Sequence, residues 1–376
     1  MTNPAGCEVI SFQEINFSDP IFDSIKIDYP DHEEWRTRNS ASGSERCALI
    51  VKSLSGAYAG IAILKYGEDP FGPSRYGLKI STFKVAPEAE YRGTADLLLS
   101  QVFSKAIDHE VDVVFIAVLP GHEDVVRYLE LRGFRRSAKG TGHHELLYTA
   151  ELCHPERIYA ELNRLAYDLL ADEYQERSTS PGPTQESPDF LAHLLTSRLA
   201  EPVRRVLELG PGSGEILSAL GKVAQDSVGV EISPRMAEVA CRRAPNALMI
   251  VADIQRLDFP ANSFDGIYAG AFLHLFPRID AGNLVHRIAR WTRPGGVVFA
   301  NTSVSSEPGE SLEVKMDYLH RVARYRSRWT EQQFRELLEE NGLVITDRVT
   351  TDERERAKFW VAFLCTPARG GVSRNE

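Results

Sequence analysis

Hydrophobic positions change their spacing several times along the chain, and the changes divide it. In the first 150 or so residues, Cys47 to Lys52 and Gly60 to Lys65 alternate as hairpin strands do, and Leu78 to Val85 (LKISTFKV) reads as a further strand. The apolar spacing then predicts a helix over Ala95 to His109, a buried strand in VDVVFIAV, an amphipathic helix in EDVVRYLEL and a last strand in HELLY. Between Ala150 and Asp189 the texture changes. A polar helical stretch, RIYAELNRLAYDLLADEYQE, gives way to RSTSPGPTQESPD, whose Ser, Pro and Gly residues cannot continue a helix. Beyond it strand-like runs alternate with helical ones: RVLEL and ILSALGKVA, SVGVEI and PRMAEVACRRA, LMIVA, FDGIYAG and IDAGNLVHRIARWT, then VVFANTS. Parallel strands require crossover connections, so this alternation predicts an α/β fold whose doubly wound sheet carries helices on both faces, behind an α+β unit.

Composition narrows what the two units do. The chain has 376 residues, 43% of them hydrophobic, enough for two packed cores. Its formal charge of −10 argues against a nucleic-acid partner, which normally requires a basic surplus, and leaves a small-molecule substrate as the expectation. Cys7, Cys47, Cys153, Cys241 and Cys365 are scattered singly without a CxxC pair, so neither a disulfide framework nor a metal site is expected. The opening MTNPAGCEVISFQE lacks a basic region followed by an apolar one, and no run reaches the about 18 apolar residues of a membrane span. A cytoplasmic protein without membrane contact is the expectation, with PARGGVSRNE (tail from residue 367) disordered.

The sharpest motif is Val206-Leu207-Glu208-Leu209-Gly210-Pro211-Gly212-Ser213-Gly214, an apolar strand running into a glycine-rich turn and then a helix. Glycine suits a turn on which a ligand lies almost against the backbone. Roughly 20 residues on, Val228-Gly229-Val230 ends in Glu231, where a carboxylate can accept hydrogen bonds from a ribose diol. The spacing is ExGxGxG, whereas a dinucleotide fingerprint is GxGxxG. Here the chain resembles the class I S-adenosylmethionine-dependent methyltransferases, which are Rossmann-like, and the resemblance runs to Trp360 through Ala252-Asp253-Ile254, NSFDGIYAG, RPGG followed by VVFA, and WTEQQFRELLEENGLVITD. It implies S-adenosylmethionine held by Glu208, Gly210, Gly212, Gly214, Glu231, Ile232, Asp253, Ile254 and Ala269. Glu231 would meet the ribose and Asp253 the adenine amino group, although Asp253 also reads as a helix cap. YDLLADEYQE resembles the family's lid, which makes Tyr174 the residue at the methionine end and Tyr167 a packing residue; plain helix packing explains both as well.

Methyl transfer is an in-line displacement from an already activated donor, so alignment and desolvation suffice and a general base is optional. His274 in AFLHLF follows the fourth strand and is the candidate base; the alternative is a packed histidine below the site mouth. The acceptor side is expected from the segments after the fifth strand, Asn301 to Glu310 (NTSVSSEPGE) and then SLEVKMDYLHRVARYRSRW, read as helical, which brings Tyr318, His320, Arg324, Tyr325 and Arg328 together, with Tyr318, His320 and Tyr325 the substrate candidates. A solvated cationic helix face explains the same residues.

From about Phe22 to Tyr148 the chain resembles the GNAT acetyltransferases, through Asp28-Tyr29-Pro30 with Trp35, the LKISTFKV strand and the loop Glu90 to Asp96. The resemblance implies an acetyl-CoA seat at Val85, Arg92, Gly93, Thr94 and Ala95. The loop departs from the family pattern where Ala95 and Leu97 stand at its later small positions and Asp96 brings negative charge. In YLELRGFRR, Leu129 holds the place of the family's tyrosine acid and Tyr128 lies one residue, about 100° of helix, out of register. The domains expected are a GNAT-like unit over 1–152, degenerate or active, a lid helix and linker over 153–188, and a methyltransferase over 189–366. Three functions follow: a methyltransferase for a small-molecule oxygen or nitrogen acceptor, a bifunctional enzyme that also transfers acetyl groups, and a binding protein that senses S-adenosylmethionine. No motif specifies the acceptor or the oligomeric state.

Overall fold

The computed structural model describes residues 6–41, 46–67, 75–90, 93–138, 145–179, 187–353 and 358–368. They form two compact units, one of residues 1–169 with 312–324, the other of residues 170–311 with 325–376.

The first unit is built on strands β1 (Glu8–Ser11), β2 (Arg46–Lys52), β3 (Tyr58–Tyr66), β4 (Gly77–Val85), β5 (Val113–Val118), β6 (Arg135–Arg136) and β7 (Leu146–Glu151). Helices α1 (Asp23–Asp28), α2 (His32–Ala41), α3 (Thr94–Asp108) and α4 (Glu123–Glu130) lie between them in sequence. The sheet order is β1-β2-β3-β4-β5-β7-β6, antiparallel except between β4 and β5. Those two pair only from Gly77 with Val113 to Ile80 with Ile116. Past Ile80, β4 stays bonded to β3 as far as Val85, while β5 turns its remaining pairing to β7. The apolar face of α3, with Leu98, Val102 and Phe103 fully buried, packs with Leu49, Ile61 and Ile63 of the sheet. Two expected helical and strand segments, α3 and β5, lie within a residue or two of their predicted limits. The HELLY strand runs on to Glu151.

A long helix, α5 (Tyr159–Thr179), crosses the division between the units. The linker expected after it falls largely on residues 180–186, outside the described residues.

The second unit contains α6 (Pro188–Thr196), β8 (Arg205–Leu209), α7 (Glu215–Leu220), β9 (Asp226–Glu231), α8 (Pro234–Arg243), β10 (Leu248–Val251) and β11 (Phe264–Ala269). It continues through α9 (Arg278–Trp291), β12 (Thr292–Val304), α10 (Glu331–Glu340), β15 (Leu343–Glu353) and β16 (Lys358–Pro367), with β13 (Gly309–Lys315) and β14 (Val322–Arg328) between β12 and α10. The sheet order is β10-β9-β8-β11-β12-β16-β15, parallel through β12 and antiparallel beyond it, which is a Rossmann-like doubly wound arrangement with a closing hairpin. β8 and β9 are almost wholly buried because helices cover both faces, as their continuous apolar runs require. Ser233 accepts the Met236 N–H to start α8, and Thr330 with Gln333 forms a capping box on α10, so both helices begin where local side chains satisfy their first amides.

One expectation is overturned. The segment expected as a helix from Ser311 to Trp329 is the two-stranded sheet of β13 and β14. Arg324, Arg326 and Arg328 alternate with Ala323, Tyr325 and Ser327, and each arginine has its own partner: Glu313, Ser303 and Ser311. A period of two places those partners on a strand; a helix would scatter them. The tail expected from residue 367 also starts inside structure, since Pro367 ends β16 and the Ala368 N–H bonds Gly342 O; residues 369–376 are outside the described residues.

Candidate functional site

In the second sheet the chain leaves β8 toward β9 and β10 on one side and later returns to β11 on the other, so the strand order reverses between β8 and β11. Chains separate at such a point and leave a crevice outside the carboxyl ends of the strands. Two segments border it: the glycine loop after β8 and residues 270–276 after β11.

The loop's three glycines are all left-handed, with φ of +65° at Gly210, +53° at Gly212 and +79° at Gly214. Their surroundings differ. A Cβ on Gly210 would lie 2.6 Å from Phe272 Cδ2, and one on Gly214 would lie 2.7 Å from Ala240 Cα of α8. A Cβ on Gly212 would meet nothing within 4 Å. Gly210 and Gly214 therefore serve close packing, and Gly212 is where the bare backbone borders open space. The Gly210 N–H donates to Val230 O at 2.9 Å, which ties the loop to β9.

Glu231, only 6% exposed, braces the same loop. Its Oε2 accepts the Gly212 N–H at 3.3 Å and its Oε1 accepts the Ser233 N–H at 3.0 Å. Beneath it Glu208, 3% exposed, leaves Oε2 buried without a hydrogen-bond partner in the chain. Burial first, and then the neighbouring carboxylates Glu231 and Glu215, push the Glu208 acid well above the usual carboxyl range. Asp253 caps the short turn Ile254–Arg256 by accepting the Gln255 N–H at 2.9 Å, and its second oxygen lies 3.7 Å from Arg256 Nε. Of the two readings of Asp253, the cap is visible directly. Ile254 and Ala269 are buried, Ile232 is half-buried after β9, and Tyr174 is half-buried on α5.

After β11 the chain passes Ala271, a left-handed residue with a side chain (φ +51°), and enters the turn Leu273–Leu275. His274 in that turn is buried, 5% exposed. Sequence reasoning placed Asn301 on the substrate side but missed its contact with Ala271 and the packing of Phe272. Phe272 packs its ring on Gly210, and the Ala271 N–H donates to Asn301 Oδ1 at 2.5 Å. AFLHLF carries no periodic signal for these contacts, which join segments distant in sequence.

The acceptor candidates are divided between the two units. Tyr318 and His320 belong to the first unit and Tyr325 to the second. Tyr325 is 1% exposed, and its hydroxyl donates to Glu310 Oε1 at 2.6 Å; burial and that carboxylate push its pKa up. It is a structural residue of the hairpin. Tyr318 receives Lys315 Nζ over its ring at 4.5 Å, and Arg324 is bound by Glu313.

In the first unit Gly93 is left-handed (φ +78°) and immediately precedes α3, with Thr94 buried, Ala95 half-buried and Val85 at the end of β4. Arg92 lies outside the described residues. The Asp96 carboxylate takes both Nε and Nη2 of Arg132, at 3.0 and 2.7 Å, and the Tyr128 hydroxyl at 2.9 Å. Its charge is thereby matched inside the unit. Burial, and next the adjacent Asp96, raise the Tyr128 phenol well above its ordinary value, while Leu129 is fully buried. Glu151, Cys153 and His154 bring three ligand-type atoms within 4.8 Å of one another after β7, but Arg75 stands 3.6 Å from Glu151 and donates to Cys153 Sγ at 3.5 Å. A cation is already supplied there.

An uncharacterized methyltransferase of Mycobacterium tuberculosis is 27% identical over 109 residues, 29% of this chain and 44% of that protein. The demethylmenaquinone methyltransferase of Beutenbergia cavernae is 33% identical over 97 residues, 26% of this chain and 40% of its own length. The matches thus span less than half of these relatives. Among solved structures, the 1,6-didemethyltoxoflavin-N1-methyltransferase of Burkholderia thailandensis aligns with 62% of this chain and 95% of its own at 16% identity and a TM-score of 0.45. Residues 207–300, which carry the glycine loop, Glu231, Asp253 and His274, match the family described as a methyltransferase domain.

Proposed function

We propose that the second unit transfers a methyl group from S-adenosylmethionine to an oxygen or nitrogen of a small-molecule acceptor. The observation that carries this is Gly212, a left-handed residue with open space where its side chain would be, held by Glu231 at the strand-order reversal of a methyltransferase domain. The residues fit the donor. Bare backbone borders the crevice, a carboxylate ends the next strand, and Glu208 has a buried, unpartnered oxygen.

In this reading Glu231 meets the ribose while bracing the loop, Asp253 meets the adenine, and Ile232, Ile254 and Ala269 line the apolar sides. Glu208 supports the loop from below, and Tyr174 closes the methionine end. S-adenosylmethionine, when bound, supplies the activated methyl group. The chain's own contribution is alignment of the acceptor and exclusion of water. His274 follows β11 and is the residue to take the acceptor's proton where one must leave. The acceptor is a small molecule, consistent with a net charge that offers nucleic acid no basic face.

Calorimetric titration with S-adenosylmethionine should give one site per chain, and Gly212→Val should abolish it. A branched side chain in the left-handed region costs about 1–2 kcal/mol, so thermal melting must accompany the titration to show that the variant is folded. Binding by folded Gly212→Val equal to that of the original chain would remove the site assignment. Tight binding with no methyl transfer across a broad acceptor panel would favour the sensing reading.

For the first unit we infer a GNAT-like fold, supported by its strand order and by the parting of β4 from β5 beyond Ile80. With Asp96 matched by Arg132 and the Tyr128 hydroxyl donated to Asp96, a binding role without Tyr128 as acid is the reading favoured for it. Uptake of acetyl-CoA and acetyl transfer that falls in Tyr128→Phe would instead support the bifunctional enzyme.

A further inference from the structure

We infer that Asn301 is a positioning residue of the methyl-transfer site, acting through Ala271 to hold Phe272 and His274 at the mouth of the crevice. This rests on the methyltransferase reading of the second unit and extends it to a residue outside the ligand-lining set.

The geometry starts in the sheet. β11 and β12 run in parallel register up to Ala269 opposite Ala300. There β11 ends, while β12 continues to Val304, paired with β16 on its other side and bridged to Trp329 at Val304. Asn301 is thus the first β12 residue beyond the end of its neighbour, and its amide oxygen reaches the departing chain, accepting the Ala271 N–H at 2.5 Å. Ala271 has φ +51°, a conformation that a residue with a Cβ adopts only when its surroundings impose it. A right-handed Ala271 would turn the next residues in another direction. Those residues are Phe272, whose ring lies where a Gly210 side chain would begin, and His274 in the following turn. Phe276 meets the Phe272 ring edge-on at 5.0 Å, which packs the far side of the turn but does not set the direction in which the chain leaves the strand. Asn301 thus holds the start of the segment after β11 where it approaches the glycine loop, while the Ser327 hydroxyl donates to Phe276 O at 2.7 Å and holds its far end.

The strain also supplies a test, because glycine takes the left-handed conformation without penalty. Asn301→Ala should raise the dissociation constant for S-adenosylmethionine about tenfold and lower kcat. Adding Ala271→Gly should recover most of the affinity, since the segment then no longer needs the amide to hold its direction. Asn301→Asp keeps the acceptor oxygen and should stay within about threefold of the original affinity. Amide hydrogen exchange of the peptide spanning residues 270–276, measured without ligand, should quicken severalfold in Asn301→Ala. That readout is independent of the ligand. If it quickens as expected and the original chain binds no S-adenosylmethionine, the methyltransferase reading fails and the clamp stands. Unchanged exchange and unchanged affinity in Asn301→Ala overturn the inference, and so does an Asn301→Ala, Ala271→Gly double variant no better than Asn301→Ala alone. Should Asn301→Ala fail to fold, the comparison of Asn301→Asp with Asn301→Leu decides, with equal affinity in the two overturning the role of the oxygen.

Discussion

Glu208 is buried at 3% exposure beside Glu231, and burial raises its pKa in the folded chain well above the usual carboxyl range. In the unfolded chain the same group titrates near about 4.3. Folded and unfolded states therefore bind equal protons below that value. Above it the unfolded chain releases a proton that the folded chain retains, and stability falls as pH rises toward the folded pKa. Glu208→Gln has no proton to lose. Urea unfolding at pH 4.5, 6 and 7.5 should show the variant's advantage over the original chain growing with pH, and a constant difference would mean that Glu208 is ionised in the fold. The presence of an acid at this position is plain from ExGxGxG, but its raised pKa is not, because the shift depends on how many layers of the sheet cover it. Asp253 makes the complementary case: its place after a strand is legible, and its cap on Gln255 follows from sequence neighbours alone.

At the scale of elements, the glycine loop joins β8 to α7, and its glycines divide into two kinds. Gly214 admits α8, whose Ala240 backbone leaves no room for a methyl group, whereas Gly212 borders open space. Gly214→Ala should combine the left-handed cost with overpacking of about 1–3 kcal/mol and lower the melting temperature clearly more than Gly212→Ala. The order should reverse for affinity, with Gly212→Ala the more damaging to ligand binding. Identical melting in the two variants would show that α7 and α8 give way without cost. The run of glycines was readable from the chain; their division of labour was not, since Ala240 and Phe272 come from other elements. The hairpin of β13 and β14 was misread for a related reason. Its arginines, taken as one charged face, meet Glu313 and Ser311 on β13 and Ser303 on β12, and the period of two that reveals this competes with a period near 3.6 in so short a segment.

At the scale of the whole molecule, the first unit is not a simple N-terminal segment, because it includes residues 312–324 from within the span of the second. Ala323 is 2% exposed and counts among the buried residues of the first unit's core, while Arg321 donates to both oxygens of Asp108 at 3.1 and 2.8 Å and its carbonyl accepts from Gln101. A fragment of residues 1–169 lacks these contacts. It should melt lower by calorimetry than the corresponding transition of the full chain, and adding a peptide of residues 309–328 should raise its melting temperature. A fragment as stable as the unit in the full chain would make the insertion incidental to the first core. No helix among the described residues is long and apolar enough to cross a membrane.

Strand periodicity, the glycine loop and the acids at the ends of β8 and β9 are properties of short stretches, and the amino-acid sequence by itself determined them along with the doubly wound sheet. The parting of β4 from β5, the pairing of Asp96 with Arg132 and Tyr128, and the hold of Asn301 on Ala271 were decided only by tertiary structure. Each joins residues about 30 or more positions apart, where sequence spacing carries no distance and only packing determines which side chains meet.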